Sequence, residues 1–97
     1  MALTTKWTPQ AEKGLEKVID YLEKDWTIKE ILNLEEKIIQ IIGQINQNPD
    51  LFPKSEKYKN LHKALVDNNN YLVYRVNNKT KTIEIINFRG TKQKPKY

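Results

Sequence analysis

The chain has 97 residues, enough for one domain with a single modest core and too few for two. It contains no cysteine and one histidine, His62, which excludes a disulfide framework, a cysteine nucleophile and a two-histidine zinc site. Its net charge of +5 is unevenly placed. Residues 1–50 hold six lysines against nine carboxylates, whereas residues 51–97 hold eleven Lys/Arg against three. A basic C-terminal half points to an anionic partner, nucleic acid being the commonest; a merely solvated lysine-rich surface is the alternative.

Residues 2–7 read as a short strand ending in Trp7. Thr8-Pro9 then starts a helix, because threonine caps well and proline is tolerated at the first helical position. Ala11, Leu15, Val18, Ile19, Leu22 and Trp26 follow at helical spacing, predicting an amphipathic helix of about 16 residues. Thr27 and Glu30 have the spacing of a capping box. The second helix runs through Ile31, Leu34, Ile38, Ile41, Ile42 and Ile45 and is stopped by Asn48-Pro49. Ile28, Leu32 and Ile39 widen its apolar face, so a second covering surface is predicted, and a sheet is the natural one.

A loop with two prolines spans residues 49–57. The period then changes to two: a strand over 58–66, a turn at Asp67-Asn68-Asn69-Asn70, a strand over Tyr71–Val76, a turn at Asn77-Asn78-Lys79-Thr80 and a strand over Thr82–Phe88. The order is β-α-α-β-β-β. It predicts one α+β domain over residues 1–97, with a helical hairpin packed on one face of an antiparallel sheet whose other face stays open. On the third of these strands Tyr74 shares parity with Leu72 and Val76 and is assigned to the core; Tyr71 and Arg75 take the open face.

Enzyme signatures are sparse. The three glycines, at 14, 43 and 90, form no phosphate-cradling loop. Carboxylates are too scarce in the basic half for a magnesium centre, so no metal and no cofactor are predicted. The chain start lacks a signal-peptide pattern and no apolar run reaches membrane-spanning length, so a cytoplasmic protein with no membrane partner is the expectation. What remains is a basic surface carrying aromatics: Lys59, His62 and Lys63 on one strand, Tyr71 and Arg75 on the next, and Arg89, Lys92 and Lys94 after the last. Cations neutralise phosphates, and Tyr or Arg planes stack on bases. Metal-free RNA cleavage needs a base, an acid and cations for the phosphorane. His62 suits the proton transfers by its ordinary pKa, although it also fits a plain strand residue, and Lys59 and Lys63 also fit the protection of a sheet edge.

Taken in order, several segments resemble one family. Trp7-Thr8-Pro9-Gln10-Ala11 resembles the aromatic-Thr-x-x-Ala junction between first strand and first helix of the RelE/ParE superfamily of type II toxin–antitoxin toxins. Pro49-Asp50-Leu51-Phe52-Pro53 is similar to its proline loop. Leu61-His62-Lys63-Ala64-Leu65-Val66 and Tyr71-Leu72-Val73-Tyr74-Arg75-Val76 resemble two of its strands, and Ile83-Glu84-Ile85-Ile86-Asn87-Phe88 resembles the last. Where one subgroup ends that strand with Phe-Trp-Asp-Asn-Arg, this chain has Phe88-Arg89-Gly90-Thr91-Lys92.

The resemblance implies a toxin with a cognate antitoxin. RelE-like members cut messenger RNA on the ribosome, and ParE-like members inhibit DNA gyrase by binding. The first choice implies catalytic roles for His62, Lys63, Arg75 and Lys92 and RNA contacts from Lys59, Tyr71, Arg89 and Lys94, without a metal or cofactor. The second keeps the fold and removes the chemistry.

Overall fold

The structure, a computed structural model, describes residues 3–24, 27–58 and 60–91. In chain order these form β1 (Thr4–Trp7), α1 (Pro9–Leu22), α2 (Ile28–Gln47), β2 (His62–Leu65), β3 (Asn70–Asn77) and β4 (Thr82–Gly90). Both helices start where a threonine oxygen satisfies an orphan backbone N–H. Thr8 Oγ1 accepts from Ala11 N at 3.2 Å, with Pro9 following it. Thr27 and Glu30 close the capping box from both sides. Trp26, which the helical spacing assigned to the first helix, lies outside the described residues.

The sheet has four strands in the order β1-β4-β3-β2. β2, β3 and β4 form the antiparallel meander that the turns predict. β1 joins the far edge parallel to β4, so the sheet is mixed rather than wholly antiparallel. Trp7 lies beside Ile85 in that pairing. Thr8 then donates to the Ile85 carbonyl twice, from its backbone N–H at 3.1 Å and its hydroxyl at 2.8 Å. One residue thus ends β1, caps α1 and stitches both to β4.

β2 is shorter than the predicted 58–66. Leu61 N–H turns back to the Tyr58 carbonyl, and the proline loop takes up the strand's outer edge: Ser55 N–H donates to Leu61 O at 2.7 Å and Lys63 N–H to Pro53 O at 2.9 Å. That pairing covers an edge that would otherwise be free to associate.

The register between β3 and β4 shifts once. Val73 faces Asn87 and Tyr74 faces Ile85, which leaves Ile86 as an extra residue in β4. A bulge of this kind reverses the parity of the residues beyond it. Ile83 and Ile85 point into the core before it, and Phe88, of opposite parity, points into the core after it with 1% exposure. The helices contribute Ala11, Leu34, Ile38 and Ile45 to the same core, where they meet Ala64, Leu72, Tyr74, Ile83, Ile85 and Phe88. α1 comes close enough to β4 that a Cβ on Gly14 would stand 2.3 Å from the Phe88 carbonyl oxygen.

The wide apolar face of α2 is only half covered. Leu34, Ile38 and Ile45 are buried, but Ile28, Leu32 and Ile39 are 77%, 57% and 71% exposed. Their spacing puts them on one stripe of the helix, away from the sheet. No helix among the described residues is long and apolar enough to cross a membrane.

Candidate functional site

Register sorts the candidate residues by face, because side chains alternate along each strand. The core residues Leu72 and Tyr74 mark the helix-facing side, so Tyr71, Val73 and Arg75 lie on the far side. On β2, Ala64 faces Leu72 and His62 faces Tyr74, whereas Lys63 faces Val73. On β4, Arg89 faces Tyr71 and Glu84 faces Arg75. Lys63, Tyr71, Arg75 and Arg89 therefore share the face opposite the helices; of these, parity alone assigns Tyr71 and Arg75 to it from the sequence. His62 does not share it.

His62 corrects the sequence reading. It is buried, at 6% exposure, in the layer between sheet and helices. Its ring stacks on Tyr74 with centroids 4.9 Å apart and planes 11° from parallel. Its Nδ1–H donates to the Phe52 carbonyl at 2.8 Å. Consecutive strand residues point to opposite faces, so the His62 and Lys63 side chains leave β2 on opposite sides of the sheet. What His62 holds instead is the proline loop, with Tyr74 as its partner. The Tyr74 hydroxyl donates to the Pro49 carbonyl at 2.7 Å, and Phe52 meets the Tyr74 ring edge-on at 6.4 Å. Burial pushes the Tyr74 phenol up to about 12, with the Asp50 charge adding to the rise and the Phe52 backbone opposing it.

The far face divides into two groups. At one end, the Lys63 ammonium sits over the Tyr71 ring, 4.8 Å from its centroid, and Arg89 lies across from Tyr71 in the neighbouring strand. Tyr71 is 7% exposed and Val73 fully buried, so this end is a packed surface with cationic heads rather than a bare sheet. At the other end, Arg75 pairs through Nε with Glu84. β1 adds Lys6 beside Glu84, giving a Lys6–Glu84–Arg75 row of alternating charge. Tyr71 and Arg75 are four residues apart along β3, roughly 13 Å. Glu84 and Lys6 are the members the sequence reading missed. Glu84 follows from the hairpin register, but Lys6 requires knowing that β1 docks beside β4.

Lys59, Lys92 and Lys94 lie outside the described residues. Among the described residues no group of three His, Cys, Asp or Glu side chains is placed to hold a metal ion. The site as described offers two cations and an aromatic ring in one cluster, suited to binding a phosphodiester beside a stacked base.

Several solved toxin structures share this fold. A YoeB/ParE toxin from Agrobacterium tumefaciens superposes with a TM-score of 0.68 at 17% identity, covering 91% of this chain and 98% of that one. A mutant of the E. coli toxin RelE in the free state gives 0.67 at 16% identity, covering 95% and 86%. The toxin–antitoxin complex RelBE2 of Mycobacterium tuberculosis gives 0.64 at 17% identity, covering 93% and 99%. At these identities the likeness is one of fold. No curated protein matches the chain in sequence. The model of the ParE toxin of type II toxin–antitoxin systems, in contrast, matches residues 5–95. That match takes in both helices and every strand but for the first residue of β1, and with it the chain belongs to the ParE toxin family, a type II toxin of the RelE/ParE superfamily.

Proposed function

We propose that this toxin blocks translation by cutting messenger RNA on the ribosome, in the cytoplasm, without a metal ion or cofactor. The observation that carries the reading is the Lys63–Tyr71–Arg89 cluster on the face opposite the helices. Tyr71 supplies a plane against which a base can stack once Lys63 moves off its ring. Lys63 and Arg89 bind the phosphate and stabilise the charge that grows on it during attack by the 2′-hydroxyl. In this reading Lys63, as the amine, takes the 2′-hydroxyl proton while the new O–P bond forms. As the ammonium it returns that proton to the 5′-oxygen while the old P–O bond breaks, the role that sequence reading gave first to His62. Lys92 and Lys94 follow Arg89 closely in sequence and extend the same basic run, and Lys59 precedes β2. Arg75, held by Glu84, steers RNA at the far end of the face.

The test is a cell-free translation reaction with purified toxin, followed by primer extension on the message. New 5′ ends that require ribosomes support the reading. Lys63→Ala should then lower cleavage by about 100-fold or more, the scale expected for losing one group that stabilises transition-state charge. Intact message with normal translation would overturn it.

The family model itself, a ParE toxin, favours a second reading: inhibition of DNA gyrase by binding alone. A supercoiling assay distinguishes the two. On this reading gyrase inhibition survives Lys63→Ala within a few-fold, because no proton transfer is involved.

A cognate antitoxin is the partner in either case, as in the RelBE2 complex with which the chain shares its fold. The uncovered stripe of Ile28, Leu32 and Ile39 suits an amphipathic antitoxin helix.

A further inference from the structure

Away from the Lys63–Tyr71–Arg89 cluster, the structure holds a cleft of about 910 Å³, of whose lining the proposed function uses Arg75 alone. Its origin is a mismatch of strand lengths. β3 continues to Asn77, but the last β2 residue paired with it, His62, stands opposite Tyr74. The edge of β3 from Arg75 onward is left as one wall. The C-terminal turn of α2 and the proline loop form the other.

The lining has three chemistries. Lys54, Arg75 and Lys79 bring positive charge, against Asp50 alone among the described residues. Lys54 and Lys79 are exposed, and the Arg75 side chain is 52% exposed even with its Nε engaged by Glu84. Carboxamides of Asn46, Asn60 and Asn78 present both donors and acceptors. Leu3 and Val76 add apolar surface. Asn46 carries a further sign: its amide nitrogen donates to the Ile42 carbonyl at 3.4 Å, but its carboxamide oxygen is buried without a hydrogen-bond partner. Such an acceptor is costly to leave unpaired.

We propose that this cleft is a nucleotide-binding subsite. The phosphate is held by Lys54 and Lys79, the base is sandwiched against apolar surface, and its edge is read by the carboxamides. The volume falls within the range of small-ligand sites, about 300–1,000 Å³. A nucleotide brings a group for each of the three: a phosphate for the cations, a base edge for the carboxamides and a base plane for the apolar surface. The subsite rests on reading the chain as an RNA-binding protein. It assigns the cleft a second nucleotide of a strand whose other contacts lie at Lys63 and Arg89.

The test is an amide NMR titration of the full-length chain with 5′-AMP at low salt, with adenosine and inorganic phosphate as comparators. The expected result is movement of the Asn46, Asn60, Asn78 and Lys79 signals, with 5′-AMP binding at least tenfold tighter than either comparator. Lys54→Gln combined with Lys79→Gln should weaken that affinity at least tenfold without lowering the Tm, since both side chains are exposed. Equal affinity for phosphate and 5′-AMP would reduce the cleft to an anion patch and overturn the proposal. So would movement confined to Lys63, Tyr71 and Arg89, or an acidic peptide that saturates the cleft while 5′-AMP does not bind. Message cleaved on the ribosome with 5′-AMP absent from the cleft defeats the subsite alone. 5′-AMP in the cleft with message intact defeats the cleavage reading alone.

Discussion

At the scale of single residues, His62 and Tyr74 account for the most. They form a stacked pair whose polar atoms both point at carbonyls of the proline loop, Phe52 and Pro49. Removing either side chain leaves a carbonyl without its donor beside a cavity. His62→Ala is therefore expected to cost about 2–4 kcal/mol, read as a lowered midpoint in urea, while the folded fraction keeps its ribosome-dependent cleavage. Loss of cleavage in a fully folded His62→Ala protein would restore the catalytic role. Tyr74 predicts a pH effect. Its phenol is raised in the fold to about 12 from an ordinary value of 10. The folded state thus favours the protonated phenol, and the stability it contributes is whole below pH 10 and lost as pH rises towards 12. A spectrophotometric titration should show one tyrosine ionising late, and Tyr74→Phe should abolish that step.

At the scale of elements, the junction between α1 and β4 decides the packing. Gly14 sits where the helix meets the strand backbone, and its hydrogen is the only substituent that fits: the oxygen 2.3 Å from a built Cβ belongs to the Phe88 main chain and cannot swing away. Gly14→Ala trades a helix-propensity gain of about 1 kcal/mol for that overlap. The overlap should win, because overpacking against backbone costs about 1–3 kcal/mol or more. Calorimetry should show a lower Tm. Gly43 has nothing within 4 Å of a built Cβ, so Gly43→Ala in α2 should raise the Tm through propensity alone. The pair of variants separates close approach from helix propensity within one protein.

At the scale of the whole molecule, charge and apolar surface are segregated. The helical half is mildly acidic and carries the exposed Ile28–Leu32–Ile39 stripe; the sheet half is basic and carries the candidate RNA surface. An amphipathic antitoxin segment on the stripe would leave the basic face to a second, acidic segment. Leu32→Glu combined with Ile39→Glu should then weaken antitoxin binding at least tenfold by calorimetric titration, with little change in Tm, because both positions are already solvated. Unchanged affinity would place the antitoxin elsewhere.

The residues alone determined the elements. Thr8, the Thr27–Glu30 box, Pro49 and the two Asn-rich turns act within a few residues of themselves, so their signals are local and survive without a fold. The parity that puts Tyr71 and Arg75 on one face is local too. Pairing at a distance is not. That β1 docks parallel to β4, that Ile86 is the extra residue that brings Phe88 into the core, and that the cleft opens where β2 ends short of β3 all depend on contacts between segments far apart in the chain. His62 belongs to the same class. Its alternation with Lys63 was legible, but which of the two would face the helices was settled only by the register against Tyr74. Alternation fixes relative orientation, and only burial against a second layer gives it a sign.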